Sequence, residues 1–315
     1  MRSSTSSFES AARSSRDSRT PARAIVLLLA LIAIFLVSVE IFSRYGVTRL
    51  SKIESREERE YAVAVGAKPA NGRRTLLLMG NSLMGDGVRF EEVRDALAPA
   101  WDVRRLYVDD TAYWDFYYAI RRLYAEGARY SVVAVFLTPR QLSLPGVRGD
   151  YFAYRLMLTS DIFRVARDTR LHRTEASNMF FASVSAFYGL RAEIRKVLLG
   201  RLMPGLPALM RLLTSNRAAP LADEQIYRGA LVNLRAYSKL AASQNSRIIL
   251  VLPPQTELEG VAMTKLAALQ AGITVVSVSP DVTGPSDFRD GFHLNAVGAG
   301  KYTAALIPAI AKALR

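Results

Sequence analysis

Five short apolar runs, separated by segments with helical periodicity, constrain the fold of this chain more than any other feature. The runs at 75–79 and 131–137 are apolar on both faces, which is typical of a buried strand in a parallel sheet. Helical patterns follow the runs, and Asn295 is a suitable N-cap for a last helix that extends toward the C-terminus. The five runs are 75–79, 103–108, 131–137, 247–252 and 273–278.

Strands that alternate with helices in this way predict a parallel sheet covered by helices on both faces. We therefore expect an α/β domain over residues 73–315, with a three-layer, doubly wound, five-stranded sheet of flavodoxin-like type. Residues 150–215 interrupt the alternation, because they are strongly basic, helical by composition and without a clear strand. This segment is predicted to be a helical insertion within the domain.

The N-terminal residues indicate a membrane anchor. Residues 1–23 are rich in Ser and Arg and predict a disordered, basic, cytoplasmic tail, and residues 24–43 form an apolar run long enough for one transmembrane helix. A cleaved signal peptide is the rival interpretation, but the small residues of a cleavage site are missing after the run. We predict an inner-membrane, single-pass protein with a charged stalk at 44–72 and its domain in the periplasm or outside the cell.

Charge and cysteine content exclude several classes of function. The chain has 42 Lys and Arg, 28 Asp and Glu, a net charge of +14 and no cysteine. The positive charge is spread along the sequence, which favours an anionic membrane surface or an acidic polymer over nucleic acid as a partner. The lack of cysteine excludes disulfides, thiolate metal sites and cysteine nucleophiles. We predict no metal and no cofactor.

The chain contains only two histidines, and this number limits the possible catalytic sites. A serine nucleophile needs a base, and a histidine base needs a carboxylate that orients it. His172 lies in the basic insertion, where we expect it at the surface. His293 follows Asp290 by three residues, and Ser82 comes directly after the first predicted strand, where α/β sheets place reactive groups. We predict a catalytic set of Ser82, His293 and Asp290.

Two short motifs resemble those of the SGNH/GDSL hydrolase superfamily. Gly80-Asn81-Ser82-Leu83 resembles the Gly-Asp-Ser-Leu motif, and Asp290-Gly291-Phe292-His293 matches the C-terminal Asp-x-x-His motif. The order of the residues along the chain and the five-stranded layout agree with this resemblance. It implies that Ser82 attacks an ester carbonyl, that His293 carries the proton and that Asp290 holds the imidazole ring.

The middle of the chain departs from the superfamily pattern at the oxyanion hole. That pattern has a glycine after the second strand and an asparagine after the third, and neither occurs at 108–112 or 137–141. The candidates for oxyanion donors are therefore the Ser82 backbone N–H and three residues that follow these strands. These three are Thr111, Thr138 and Gln141.

Substrate contacts are predicted at the same edge of the sheet. Asn81 and Arg140 adjoin the ends of the first and third predicted strands, and Trp114 belongs to an aromatic run at 113–118. Flat aromatic rings bind the faces of sugars, although the same rings would also fill the core between a helix and the sheet. We take Asn81, Trp114 and Arg140 as the candidate substrate-binding residues.

The anchor, the diverged middle and the insertion resemble one branch of the superfamily more closely. Its members are membrane-anchored SGNH-like proteins that work with membrane-bound O-acyltransferases and acetylate exported polysaccharides. The resemblance implies an O-acetyltransferase or acetylesterase, with a membrane-bound O-acyltransferase, a polysaccharide acceptor and the bilayer as partners. The diverged oxyanion text leaves a catalytically silent scaffold as an alternative, and the basic amphipathic insertion leaves a lipid esterase.

Overall fold

A computed structural model describes residues 19–70, 72–144, 146–203, 205, 220–254 and 259–315. A single five-stranded sheet lies at its centre, with all neighbouring strands parallel and the order β2-β1-β3-β4-β5. This is the flavodoxin-like order, in which the winding direction reverses between β1 and β3. The strands are β1 Arg74–Gly80, β2 Trp101–Tyr107, β3 Val132–Phe136, β4 Arg247–Leu252 and β5 Thr274–Ser277.

The described part of the chain contains thirteen helices. They are α1 Arg19–Leu50, α2 Lys52–Val65, α3 Ser82–Gly87, α4 Phe90–Leu97, α5 Tyr113–Ala125, α6 Pro139–Ser143, α7 Gly149–Arg155, α8 Ile162–Asp168, α9 Arg173–Val184, α10 Ala186–Leu202, α11 Asp223–Ala242, α12 Val261–Gln270 and α13 Ala296–Ala313. Short 3₁₀ segments add Thr159–Asp161, Pro280–Val282 and Pro285–Asp287.

Side chains of each strand alternate between two hydrophobic cores. In β1, Leu76 and Leu78 pack with α3, α4 and α13 on one face of the sheet. Leu77 and Met79 pack on the other face with α2, α5, α11 and α12. Because β1 is central and buried on both faces, its sequence is continuously apolar. The prediction of a three-layer, doubly wound α/β fold is confirmed.

The helical insertion lies between β3 and β4, and its described residues form α7 to α10 without a strand. Its buried apolar side chains join the core on the α5 side of the sheet. Residue 204 and residues 206–215 of the predicted insertion lie outside the described residues, as do residues 216–219. The larger of these buried side chains include Tyr151, Phe152, Ile162, Val165, Met179 and Leu190.

The N-terminal part contains one helix that is long and apolar enough to cross a membrane, over Ala22–Leu50. Residues 1–18 of the predicted tail lie outside the described residues, and α1 already begins at Arg19. The structure also differs from the predicted stalk at 44–72. Here α1 continues to Leu50, and α2 follows and packs on the domain, where Ala64 and Ala67 are fully buried.

A charged face of α2 explains this difference. Glu54 and Glu57 are buried, and they bond to Arg155 and Arg56 respectively. Arg155 is far from Glu54 in the sequence, so the sequence gives no sign of this pair. For this reason α2 has the composition of a solvated stalk, although it forms part of the packed domain.

Candidate active site at the end of the first strand

The turn that follows β1 places Ser82 at the start of α3. Asn81 caps this helix, because its Oδ1 accepts the Leu83 N–H at 3.1 Å. Its Nδ2 donates to the Thr111 carbonyl at 3.0 Å, which ties the turn to the segment after β2. Gly80 is required by space, since a Cβ there would lie 2.7 Å from the Met84 Cβ. The sequence Gly80-Asn81-Ser82 thus fixes the position of the serine through its backbone.

A short loop before α13 presents His293. The Arg289 N–H donates to the His293 carbonyl at 2.7 Å, and Phe288 and Leu294 form an antiparallel bridge that closes the loop. Gly291 has a φ of 83°, a left-handed conformation that a side chain would strain. The loop is therefore a rigid turn and not an extended connection.

The end of α13 holds the base of this loop. Asn295 caps the helix and accepts the N–H groups of Val297 and Gly298 at 3.0 Å. Asp287 is buried and receives Lys301 Nζ at 3.0 Å on both carboxylate oxygens. A Cβ at Gly298 would lie 2.5 Å from the Asp287 carbonyl oxygen, so the glycine allows the helix to approach the loop closely.

The structure brings the three predicted catalytic residues together in one chain of hydrogen bonds. Ser82 Oγ lies 2.9 Å from His293 Nε2, and His293 Nδ1 lies 2.8 Å from Asp290 Oδ2. An ionised carboxylate can only accept a hydrogen bond, so in a neutral ring the proton sits on Nδ1 and is donated to Asp290. Nε2 then accepts from the Ser82 hydroxyl. This arrangement is the one in which a histidine can remove the serine proton.

Asp290 is held as an anion by its own loop. Its Oδ1 accepts the backbone N–H groups of Phe292 at 3.1 Å and His293 at 2.8 Å. Partial burial opposes ionisation, but these two bonds and the His293 ring together lower the pKa of Asp290 to about 2. The side chain is 46% exposed, so backbone donors maintain the charge at a solvent-accessible position.

Among the oxyanion candidates, the Ser82 backbone N–H is the best placed to donate. The N–H groups of Met84 and Gly85 donate to the Asn81 carbonyl, and Leu83 N–H donates to the Asn81 side chain. The Ser82 N–H has no acceptor among the described residues, so it is one of the unsatisfied donors at the start of α3.

The side chains of the other oxyanion candidates already have partners. Thr111 Oγ1 donates to the Val108 carbonyl at 2.6 Å. Thr138 caps α6, where its hydroxyl accepts the Gln141 N–H at 3.2 Å and Gln141 Oε1 accepts the Thr138 N–H at 3.1 Å. The three side chains therefore stabilise local structure, and their roles as oxyanion donors stay predictions.

The candidate substrate residues are placed differently from one another. Asn81 is 2% exposed and uses its amide to position the turn, and its role as a substrate contact stays a prediction. Trp114 is half-buried and packs edge-on against Tyr113 and Tyr117, with 4.7 Å and 5.7 Å between the ring centroids. This packing favours the core-filling interpretation of the aromatic run. Arg140 lies in α6.

An ion pair between α3 and the His293 loop was not predicted from the sequence. Arg289 Nη2 lies 2.9 Å from Asp86 Oδ2, and it joins the segment that carries the serine to the segment that carries the histidine. Exposed charges give no local sequence signal of a partner so far along the chain. His172 is exposed at the start of α9, away from this set.

Other regions that could hold a ligand are separate from this set. A cavity of about 420 Å³ lies between α2, α5 and α7, and its lining includes Glu57, Tyr61 and Arg155 but neither Ser82 nor His293. Within the described ranges, no group of three or more His, Cys, Asp or Glu side chains is arranged to hold a metal ion.

Comparisons with known proteins add little to this geometry. No protein-family model matches the sequence, and no curated protein matches it significantly. Among solved structures, the chain is similar to TesA, with 11% sequence identity and a TM-score of 0.40 over 75% of this chain and 98% of the TesA chain. A similarity at this identity and TM-score does not show the function of this chain.

Proposed function

We propose that this protein is a membrane-anchored serine esterase or O-acyltransferase of SGNH type that acts on acetyl esters of an exported or cell-surface polysaccharide. The observation that carries this proposal is the hydrogen-bonded chain from Ser82 through His293 to Asp290, with 2.9 Å and 2.8 Å between the bonded atoms. The Gly80-Asn81-Ser82-Leu83 and Asp290-Gly291-Phe292-His293 motifs support assignment to the SGNH superfamily.

In the first half of the reaction, Ser82 Oγ bonds to the carbonyl carbon of an acyl ester while His293 Nε2 takes the hydroxyl proton. The tetrahedral intermediate then breaks its bond to the alcohol oxygen, which leaves with the proton from His293. An acyl-serine remains. Asp290, which is charged above about pH 2, stabilises the imidazolium that forms between these steps.

In the second half, a sugar hydroxyl or a water molecule attacks the acyl-serine. His293 takes the proton of the attacking oxygen, the new ester or acid leaves, and Ser82 Oγ recovers a proton from His293. General base assistance of this kind contributes about 10²- to 10⁴-fold. Attack by a sugar gives a transferase, and attack by water gives an esterase.

The negative charge on the tetrahedral oxygen requires N–H donors. The Ser82 N–H at the start of α3 is our candidate, and one such donor is worth about 2.7–4 kcal/mol in the barrier. The internal pairing of the Thr138 and Gln141 side chains favours a second candidate function, in which the protein is a silent scaffold of a polysaccharide modification complex.

The apolar helix α1 supports a membrane address for either function. A domain held next to the membrane would meet a polysaccharide as it is exported, and a membrane-bound O-acyltransferase could supply the acetyl groups. A lipid esterase is the remaining alternative. All three functions place the domain at a membrane. Reactivity of Ser82 separates the two enzymes from the silent scaffold, so it is the property to test first.

A fluorophosphonate probe tests this reactivity. We expect it to label the full-length protein, and Ser82→Ala to lose both the label and hydrolysis of p-nitrophenyl acetate. Ser279→Ala, a change of the same size at an exposed hydroxyl, is the control and should keep both. An unlabelled wild-type protein would favour the silent scaffold, and unchanged polysaccharide acetylation in cells with Ser82→Ala would exclude the proposed acetyl transfer.

A further inference from the structure

The junction of α9 and α10 carries an exposed apolar cluster. Four large side chains within residues 180–187, which we call the α9–α10 corner, are each 44% to 54% exposed: Phe180, Phe181, Val184 and Phe187. The Phe180 and Phe181 rings lie 5.8 Å apart. A group of exposed aromatic side chains of this kind marks a surface that contacts another phase or molecule.

Hydrogen bonds hold this corner against α1. Ser185 Oγ and the backbone N–H of Ala186 both donate to the Glu40 carboxylate at 2.8 Å, and the Phe187 N–H donates to it at 3.1 Å. Arg44 bonds to the same carboxylate at 2.8 Å. Glu40 therefore caps the N-terminus of α10, where a negative charge is favourable. The corner is fixed at one level of α1.

This level lies near the end of the apolar part of α1. A run of about 20 helical residues, such as 24–43, spans the roughly 30 Å of a hydrocarbon core, and Glu40 lies about 5 Å before its end. Ile41 and Phe42 follow Glu40 and are 53% and 52% exposed, so the apolar surface of α1 continues past the level of the corner. A membrane that covers Ile41 and Phe42 also reaches the corner.

We propose that the α9–α10 corner inserts into the headgroup–acyl boundary of the bilayer beside α1. Interfacial helices bury Trp, Phe and Leu side chains at this boundary, and the corner offers it three Phe rings and one Val side chain. Together with the Glu40 cap, the insertion gives the domain two attachments to the membrane and one fixed orientation. This inference depends on α1 crossing the bilayer and not on the chemistry of Ser82.

The chain has no native cysteine, so single cysteines can be labelled cleanly. The full-length protein is reconstituted in phosphatidylcholine–phosphatidylglycerol vesicles with an NBD fluorophore at Phe181→Cys or, separately, at Phe187→Cys. The matched control is Leu269→Cys in α12, a site 78% exposed next to β5, at the sheet edge opposite β2. We expect NBD emission at 181 and 187 to shift to the blue and to be quenched by lipids with a spin label near the headgroup.

The control label at 269 should keep the emission of a label in water and resist these lipids. Labels at 181 and 187 that behave like the label at 269 would overturn the proposal, because the corner would then lie in water. A blue shift at both positions without quenching by the spin-labelled lipids would also overturn it, since protein and not lipid would cover the corner.

Discussion

Two acidic groups of this protein, Asp290 and Glu57, have opposite electrostatics. Asp290 is half-exposed, and although partial burial opposes its ionisation, two backbone N–H groups and the His293 ring lower its pKa to about 2. Glu57 in α2 is 4% exposed, and burial together with the neighbouring charge of Glu54 raises its pKa to about 8. The same functional group is therefore charged in one region and protonated in the other near neutral pH.

The difference shows that donors, and not exposure alone, decide the state of each acid. Asp290 has donors built into the backbone of its loop, which keep it charged and able to orient His293. Glu57 accepts the Tyr151 hydroxyl and the Arg56 guanidinium, with the Arg148 charge also nearby, but these groups do not offset the burial and the like charges of Glu54 and Asp109. Asp290 is therefore a charged acceptor for His293, whereas Glu57 is a buried group of the packed domain.

Asp290→Asn should have the largest effect on this comparison. The amide keeps the shape of the carboxylate but removes the charge that stabilises the imidazolium and can select the wrong ring tautomer. We expect kcat for p-nitrophenyl acetate to fall about 10²- to 10⁴-fold. Because the pKa of Asp290 is about 2, the carboxylate is already charged throughout pH 5 to pH 9, so its own titration adds no pH dependence to the loss in this range.

Asp281→Asn is the control for this change. It removes an exposed carboxylate from the same connection between β5 and α13. In the wild type, this carboxylate accepts a hydrogen bond from the Ser279 hydroxyl. Activity close to that of the wild type is expected. If Asp290→Asn were as active as this control, Asp290 would not act on His293.

Glu57→Gln should change stability and not activity. Because the pKa is raised in the folded state, the native protein holds a proton on Glu57 between about pH 4.5 and pH 8, where the unfolded chain has already lost it. Wild-type stability therefore falls as the pH rises through this window, and a neutral glutamine avoids the loss. The free energy of unfolding of the variant minus that of the wild type should be larger at pH 9 than at pH 5 by on the order of 2 kcal/mol. Tm and urea unfolding at the two pH values measure this change.

Glu58→Gln supplies the matched control, since it removes one carboxylate from the exposed side of the same helix. Its stability relative to the wild type gives the effect of losing an exposed carboxylate, against which the pH dependence of Glu57→Gln is compared. If Glu57→Gln behaved in the same way, Glu57 would be ionised in the folded protein despite its burial.

The fold was largely predictable because its signals are local. The apolar run at 247–252 has the same bounds as β4. Asn295, chosen as an N-cap, accepts two N–H groups at the start of α13. The packing of α2 was not predictable, since the buried Glu54 pairs with Arg155 of the insertion, which is far away in the sequence.

The candidate site was predictable in part for the same reason. Two histidines left one choice of base, and a strand end located Ser82. The roles of Thr138 and Gln141 were missed, although Thr-x-x-Gln is the signature of a capping box and signals local pairing. An asparagine directly before a helix likewise indicates a cap, which is the role of Asn81.

The ion pair between Asp86 and Arg289 should give the smallest effect, and it tests whether the His293 loop depends on a contact outside itself. The two side chains are 40% and 60% exposed, so their coupling should stay below about 1 kcal/mol. We expect Arg289→Ala and Asp86→Ala each to lower kcat/KM only about two- to five-fold, because a looser loop spends less time with His293 at hydrogen-bond distance from Ser82.

A double-mutant cycle with both alanines, followed through kcat/KM at low and at high salt, measures this coupling. The double variant should lose less than the product of the two single losses, and salt should reduce the difference, because the charges are exposed. Purely multiplicative losses would mean that the pair does not hold the loop. The backbone bonds to Asp290 and the anchoring of Asp287 by Lys301 would then position His293 without it.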